Sequence, residues 1–307
     1  MNYTLHQLEI FKKVAELKSV TRASEELFLT QPAVSIQLKN FQDQFKIPLF
    51  EVIGRQLFIT EFGEEIALAV QKILDEIKAI NYKALSHDGK IAGKLKIAIV
   101  STAKYVMPYL ISDFIHINEG VDLSIDVTNK ASVIKSLENN EVDFAMVSTI
   151  PTKLPIERIE LMKNKLFLVG GRNYSKTTKN ISKLTFEKQP IIFREKGSAT
   201  RLAMEHYIAE HKLSISKKME LTSNEAIKQA IVAGLGFSIM PLIGIKSSLN
   251  TFELQIIPAK GLPIETTWNL IWMKSKNLSS VAKAFITHIE ENKEAIIQEH
   301  FGWFENY

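Results

Sequence analysis

Apolar positions in the first third of the chain recur at helical spacing. Leu5, Leu8, Phe11, Val14 and Leu17 mark a first helix with one buried stripe. Val20 to Leu27 predicts a second helix, a tight break follows at Phe28 and Leu29, and a third helix runs from Thr30 to about Phe45. The third opens on Thr30-Gln31-Pro32, a capping hydroxyl followed by a proline where the missing N–H costs little. Ile47-Pro48-Leu49-Phe50 ends it, and EVIGRQLFITEFG then alternates and turns at Gly54, predicting a two-stranded wing with Arg55 at its tip. From Gly63 to Leu85 the spacing becomes that of one long helix. Ile66, Ile73 and Ile80 form one heptad series and Val70, Ile77 and Ala84 the other. A stripe so narrow, flanked by Glu65, Lys72, Asp75 and Lys78, suits a dimerising helix pair; packing on its own domain is the alternative. SHDGKIAGK follows as a hinge.

After Gly93 the texture is α/β. LKIAIVST reads as a buried strand, Val106 to Ile117 as an amphipathic helix, VDLSIDVT as a second strand, Ala131 to Leu137 as a helix and VDFAMVS as a third strand. That order predicts a parallel sheet with right-handed crossovers. Further strands are expected at KLFLVG, QPIIFRE, Lys218–Leu221, GLGFSIMP, FELQIIP and WNLIWMK. Helices are expected from about Thr200 to Lys212, Asn224 to Ala233 and Ser279 to Gln298. This stretch is long enough for two lobes, with a ligand expected where strand C-termini face a crevice.

Composition narrows the function. The hydrophobic fraction of 46% with 23% charged residues is that of an ordinary globular protein. No cysteine is present, which excludes disulfides, Cys-type zinc sites and thiolate nucleophiles. The start lacks a basic stretch followed by an apolar segment, and no apolar run is long enough to span a bilayer, so the reading is cytoplasmic, with no membrane partner. The net charge of +4 is weak support for nucleic acid. Before Glu61, seven bases face six acids, so DNA affinity must come from placement and from pairing two modules.

Two constellations carry chemistry. Ser35, Gln37, Lys39 and Asn40, behind the capped start of the third helix, are polar groups suited to phosphates and base edges, and they mark the segment as a DNA-binding helix-turn-helix. Arg55 is either a solvated turn residue or a contact to a groove or phosphate. The second constellation is three polar strand ends: Ser101-Thr102, Thr128-Asn129 and Arg194 to Arg201. Hydroxyls and free N–H groups at helix N-termini make an anion site, and Gly197 admits a close backbone approach. Ser198, Thr200 and Arg201 suit a carboxylate, sulfate or phosphate oxygen; the alternative is a plain surface loop with a helix cap. Arg201, one turn into its helix, has Glu205 four residues on as an alternative partner. The seven histidines form no metal-ligand pattern, no nucleophile elbow or phosphate loop appears, and neither metal nor cofactor is expected.

The motifs LHQLEIFKKVAELKSVTRASEEL, TQPAVSIQLKNFQDQF, PLFEVIGRQLFITEFG, GKLKIAIVST, EVDFAMVS and SNEAIKQAIVAGLGFSIMP resemble those of the LysR-type transcriptional regulators along nearly the whole chain. FEVIGR and REKGSATR look like the subgroup of carbon-fixation-operon and sulfur-metabolism regulators. The resemblance implies a non-enzymatic regulator with a winged helix-turn-helix over 1–62, a linker helix and hinge over 63–90, and a two-lobed periplasmic-binding-protein-like effector domain over 91–307. Lobe I would be 93–161 plus 267–307, and lobe II 162–266. It further implies promoter DNA, a small effector and RNA polymerase as partners, and a homodimer assembling as a dimer of dimers. Carried over by position, Gln31, Pro32, Ser35 and Gln37 face bases with Thr30 at the cap, Arg22 and Lys39 meet phosphates, and Arg55 is the wing contact. Ser101, Thr102, Thr128, Asn129, Ser148, Gly197, Ser198 and Thr200 line the effector cleft, with Arg194 beside them. Three positions depart from the family pattern. Ile36 replaces a common arginine and offers an apolar contact to a thymine methyl, Ser24 replaces a small apolar residue, and Val52 replaces a frequent arginine. A solute-binding protein and a cleft enzyme are the competing classes; the N-terminal module argues against the first and the missing catalytic pattern against the second.

Overall fold

A computed structural model describes residues 2–54, 56–87, 89–172, 186 and 189–307. The chain forms two compact units, Met1–Lys90 and Ile91–Tyr307. The first holds α1 (Leu5–Leu17), α2 (Val20–Glu26), α3 (Gln31–Gln42), β1 (Phe50–Ile53), β2 (Gln56–Ile59) and α4 (Glu61–His87). Each short helix begins where a hydroxyl can satisfy a free amide. Thr4 and Gln7 form a reciprocal cap on α1, the Ser19 side chain accepts from the Arg22 amide, and that of Thr30 from the Ala33 amide. Phe28 makes the break between α2 and α3 with a left-handed backbone, φ 54°. The third helix stops at Gln42 rather than Phe45, because the Gln44 and Phe45 amides bond three residues back and tighten the chain into turns. β1 and β2 pair antiparallel with Ile53 opposite Gln56, and Gly54, which follows β1, takes φ +66°.

The unit's core has two nests. Ile10, Val14, Ala23 and Val34 hold α1, α2 and α3 together; Leu8, Phe11, Phe41 and Leu49 pack with Ala67 and Val70 of α4. This divides the heptad stripe. Ile66 and Val70 belong to the unit's own core, as does Leu74, which lies off the stripe, whereas Ile73 and Ile80 remain exposed. The expectation of one continuous dimer seam starting at Ile66 is therefore corrected: the first turns of α4 cover Phe11 and Phe41 because the winged module is too small to bury them alone.

The second unit holds β3 (Ala92–Val100), α5 (Met107–Ile117), β4 (Gly120–Thr128), α6 (Lys130–Glu138), β5 (Phe144–Val147), β6 (Ile156–Gly171), β7 (Ile191–Arg194), α7 (Ala199–Glu210), β8 (Lys218–Leu221), α8 (Asn224–Val232), β9 (Ser238–Pro241), α9 (Lys246–Asn250), β10 (Leu254–Ile256), β11 (Ile264–Met273) and α10 (Ser280–Phe301). One seven-stranded sheet runs β10-β6-β11-β5-β3-β4, with β9 also on β6; β7 and β8 pair parallel beside it. The parallel arrangement expected from the first strand-helix-strand-helix-strand order holds for β3, β4 and β5, and the later strands differ. β6 and β11 pair antiparallel with each other and with their neighbours β5, β9 and β10. β6, at 16 residues, is far longer than KLFLVG suggested, and β11 starts four residues before WNLIWMK. Their added residues, IERIELMKN and IETT, mix polar with apolar positions, so they lack the continuous apolar run of a buried strand.

Around the paired β6 and β11, Leu166, Leu168, Ile191, Phe193, Met204, Tyr207 and Phe237 make one apolar nest. The larger core contains Phe114, Phe144, Trp268, Trp272 and Phe285. Phe144 meets Trp272 and Phe285 edge-on, locking β5, β11 and α10 together. The tail after α10 is pinned to β6 by the buried Lys165 ammonium, which donates to the carbonyls of Phe304 and Tyr307.

Candidate functional site

Strand register brings the polar ends together. β3 pairs β4 up to Val100 opposite Thr128, and β3 pairs β5 with Ile99 opposite Met146. Ser101, Asn129 and Ser148 therefore stand level at one edge of the sheet. Thr102 and Ser148 are buried there. Asn129 caps α6, its Oδ1 accepting from the Ser132 amide at 3.0 Å. The third loop reaches the same edge. Arg194 Nη1 donates to Ser101 Oγ at 3.2 Å, and the Ala131 amide donates to the Gly197 carbonyl at 3.4 Å. Gly197 has φ +90°, and a Cβ there would lie 3.1 Å from that of Ala131, so glycine is needed for both the turn and the approach. Ser198 caps α7 by accepting from the Arg201 amide, and Ser198 and Thr200 are both buried. All three predicted loops thus meet in one place, with the N-termini of α6 and α7 directed at it.

The charges are arranged less simply than the sequence suggested. Arg194 is 3% exposed, and its guanidinium is gripped by the adjacent Glu195 carboxylate through Nε at 2.7 Å and Nη2 at 2.8 Å. Arg201 is taken up by partners of its own. It pairs with Glu205 and Glu220 and donates to the Arg194 carbonyl, and the hydrogen bonds to Glu205 and then Glu220 raise its pKa above the ordinary arginine value. Lys130, the first residue of α6, is half-buried, and desolvation holds its ammonium below the ordinary lysine range. An anion nearby would relieve that penalty. On α8, Glu225 is held below the usual carboxylate range by hydrogen bonds from Lys228 and Gln229, with Lys104 adding to the attraction. The start of α8 therefore faces the loop after β3.

Asn224 is the residue that sequence reasoning missed. It opens α8, lies buried at the ends of β7 and β8, and a polar residue after Ser223 reads simply as a helix start.

In the first unit, α3 presents Gln31, Pro32, Ser35, Ile36, Lys39 and Asn40 to solvent, and Arg22 of α2 and the capping Thr30 are exposed as well. Gln37 differs: it is half-buried, and its Oε1 accepts from Gln7 Nε2 at 3.1 Å, tying α3 to α1. Ser24, unusual for an apolar position, is satisfied by donating to the Thr21 carbonyl at 2.7 Å. Arg55 lies outside the described residues. Among the described residues no cluster of three or more histidine, aspartate or glutamate side chains has a metal-holding arrangement, and no helix is long and apolar enough to cross a membrane.

Residues 5–64 match the bacterial regulatory helix-turn-helix protein, lysR family, and residues 88–294 match the LysR substrate binding domain. The chain is 35% identical to the HTH-type transcriptional activator CmpR of Synechocystis sp., over 96% of this chain and 97% of that protein. It is also 35% identical to a RuBisCO operon transcriptional regulator of Allochromatium vinosum, over 93% and 95% of the two chains. Among solved structures, the regulatory domain of Synechocystis PCC6803 CcmR in complex with 2-PG aligns with a TM-score of 0.61 at 31% identity, covering 66% of this chain and 98% of that one. Full-length CbnR complexed with its target DNA shares the fold, with a TM-score of 0.69 at 18% identity over 95% and 100% of the chains.

Proposed function

This chain belongs to the LysR family of transcriptional regulators, as a DNA-binding regulator with an effector-binding domain rather than an enzyme, and from that premise we propose that a small anion held at the ends of β3, β4 and β7 controls it. One observation carries the reading: the three strand ends converge, bonded through Arg194 to Ser101 and through Gly197 to Ala131. Two helix N-termini make that place favourable to negative charge. The CcmR regulatory domain, at 31% identity, is in complex with 2-PG, which supports an effector of this kind. The crevice lies between lobe I (93–161 plus 267–307) and lobe II (162–266), with Ser101, Thr102, Thr128, Asn129, Ser148, Ser198 and Thr200 as its polar lining.

On the DNA side, Ser35, Gln31 and Ile36 read base edges, while Arg22, Lys39 and the wing residue Arg55 hold phosphates. The exposed part of α4, around Ile73, Ile77 and Ile80, pairs two chains over the 63–90 linker, and two pairs form the tetramer. The regulator acts in the cytoplasm on promoter DNA and changes recruitment of RNA polymerase. The test uses DNA selected by the full chain from a random pool. With 2-PG as probe, the parent's footprint changes, whereas Thr102→Val binds the same DNA normally and fails to respond. A Thr102→Val protein that binds 2-PG as tightly as the parent would overturn the anion reading.

A further inference from the structure

We propose that Asn224 is a direct contact for the effector, its Nδ2 donating to an anionic oxygen while its Oδ1 accepts from an O–H or N–H on the same molecule. This deepens the anionic-effector reading and rests on it. Asn224 is 5% exposed, yet neither Oδ1 nor Nδ2 has a hydrogen-bond partner among the described protein atoms. Buried carboxamides are ordinarily paired, and an unpaired one lowers stability. The residue is not needed as a cap, because Ser223 Oγ already accepts from the Ala226 amide. Nor does it sit in an unrelated part of the lobe.

β7 and β8 are parallel with Arg194 opposite Leu221, so Asn224, three residues beyond Leu221, stands at the strand ends where Arg194 reaches Ser101. The adjacent Glu225 is within the field of Lys104, two residues after Thr102. The first amides of α8, a nine-residue helix, have no partner inside the helix and point the same way. The starts of α6, α7 and α8 therefore lie at neighbouring strand ends, and the Asn224 carboxamide adds there a group able both to donate and to accept. The ligand class that fits is a small phosphate or carboxylate that also carries a hydrogen-bond donor, such as a protonated phosphate oxygen or a hydroxyl.

The experiment is calorimetric titration of 2-PG and of inorganic phosphate into the full chain and into Asn224→Asp, Asn224→Leu and Thr102→Val, with melting temperatures of each. Asn224→Asp keeps the shape but loses the donor and repels an anion, so at least tenfold weaker binding is expected. Asn224→Leu should bind at least tenfold more weakly while melting at or above the parent temperature, because an unpaired buried amide is replaced by an apolar group. A structural role would instead lower the melting temperature and leave affinity intact, and that result overturns the proposal. If Thr102→Val weakens binding and both Asn224 variants match the parent, Asn224 is not a contact although the crevice reading stands. A parent that binds neither probe removes both.

Discussion

Arg194 shows how much a single residue's environment decides. The sequence marks it as an anion receptor, but Glu195 already occupies two of its donor edges. In the proposed effector site the Glu195 carboxylate would compete with a bound anion for Arg194. Glu195→Gln should therefore tighten 2-PG binding several-fold in calorimetry, while costing on the order of 1–3 kcal/mol of stability through the weakened buried pair. Unchanged or weaker binding would mean the carboxylate does not compete. On α3 the exposed Ser35 and Lys39 have no side-chain hydrogen bond or ion pair among the described residues. Ser35→Ala and Lys39→Ala should each stay within about 0.5 kcal/mol of parent stability. Both should weaken DNA binding, and Lys39→Ala should also lower the salt slope by about one, as mobility shifts at several salt concentrations would reveal. Gln37 was expected beside them as a base reader. Its bond to Gln7, thirty residues away, was not legible, because nothing local in either segment encodes that meeting.

At the scale of elements, α4 does two jobs along one stripe. Its first turns complete a core with Phe11, Phe41 and Leu49, and its later turns leave Ile80 65% exposed. Substitutions should separate the two. Val70→Ala removes two buried methyls, at 3% exposure, and should cost about 2 kcal/mol in denaturant unfolding of the first unit. Ile80→Lys should leave that unfolding unchanged yet dissociate the oligomer in analytical ultracentrifugation. If Ile80→Lys sediments as the parent does, the exposed half of α4 is not the pairing surface. The heptad spacing was plain in the sequence. Where the intrachain core ends and the free face begins was not, since both halves use the same residue types at the same spacing.

Across the whole molecule, the two units make different claims on a ligand. An anion in the crevice stabilises Ile91–Tyr307 by about 2.7 kcal/mol at roughly a hundred times Kd, which for a unit of that size corresponds to roughly 5–10 °C. Hydrogen exchange of the full chain with and without 2-PG should show its largest gain in protection at the loops after β3, β4, β7 and β8. Protection gained mainly in α1 to α3 would contradict a crevice site.

Local patterns determined much of this protein by themselves. Capping side chains at Thr30, Asn129, Ser198 and Ser279 and apolar periodicity announce where helices begin and which face is buried, because each involves atoms within a few residues. The winged module, the long helix and the α/β texture were therefore readable, as was the polar character of three strand ends. Their convergence depended on strand register across the sheet, as did the antiparallel crossing of β6 and β11. The pairing of Arg194 with Ser101 joins residues 93 apart. Burial without a partner, as at Asn224, exists only once the strands and helices around it have packed, since a carboxamide is satisfied by water until the fold removes the water.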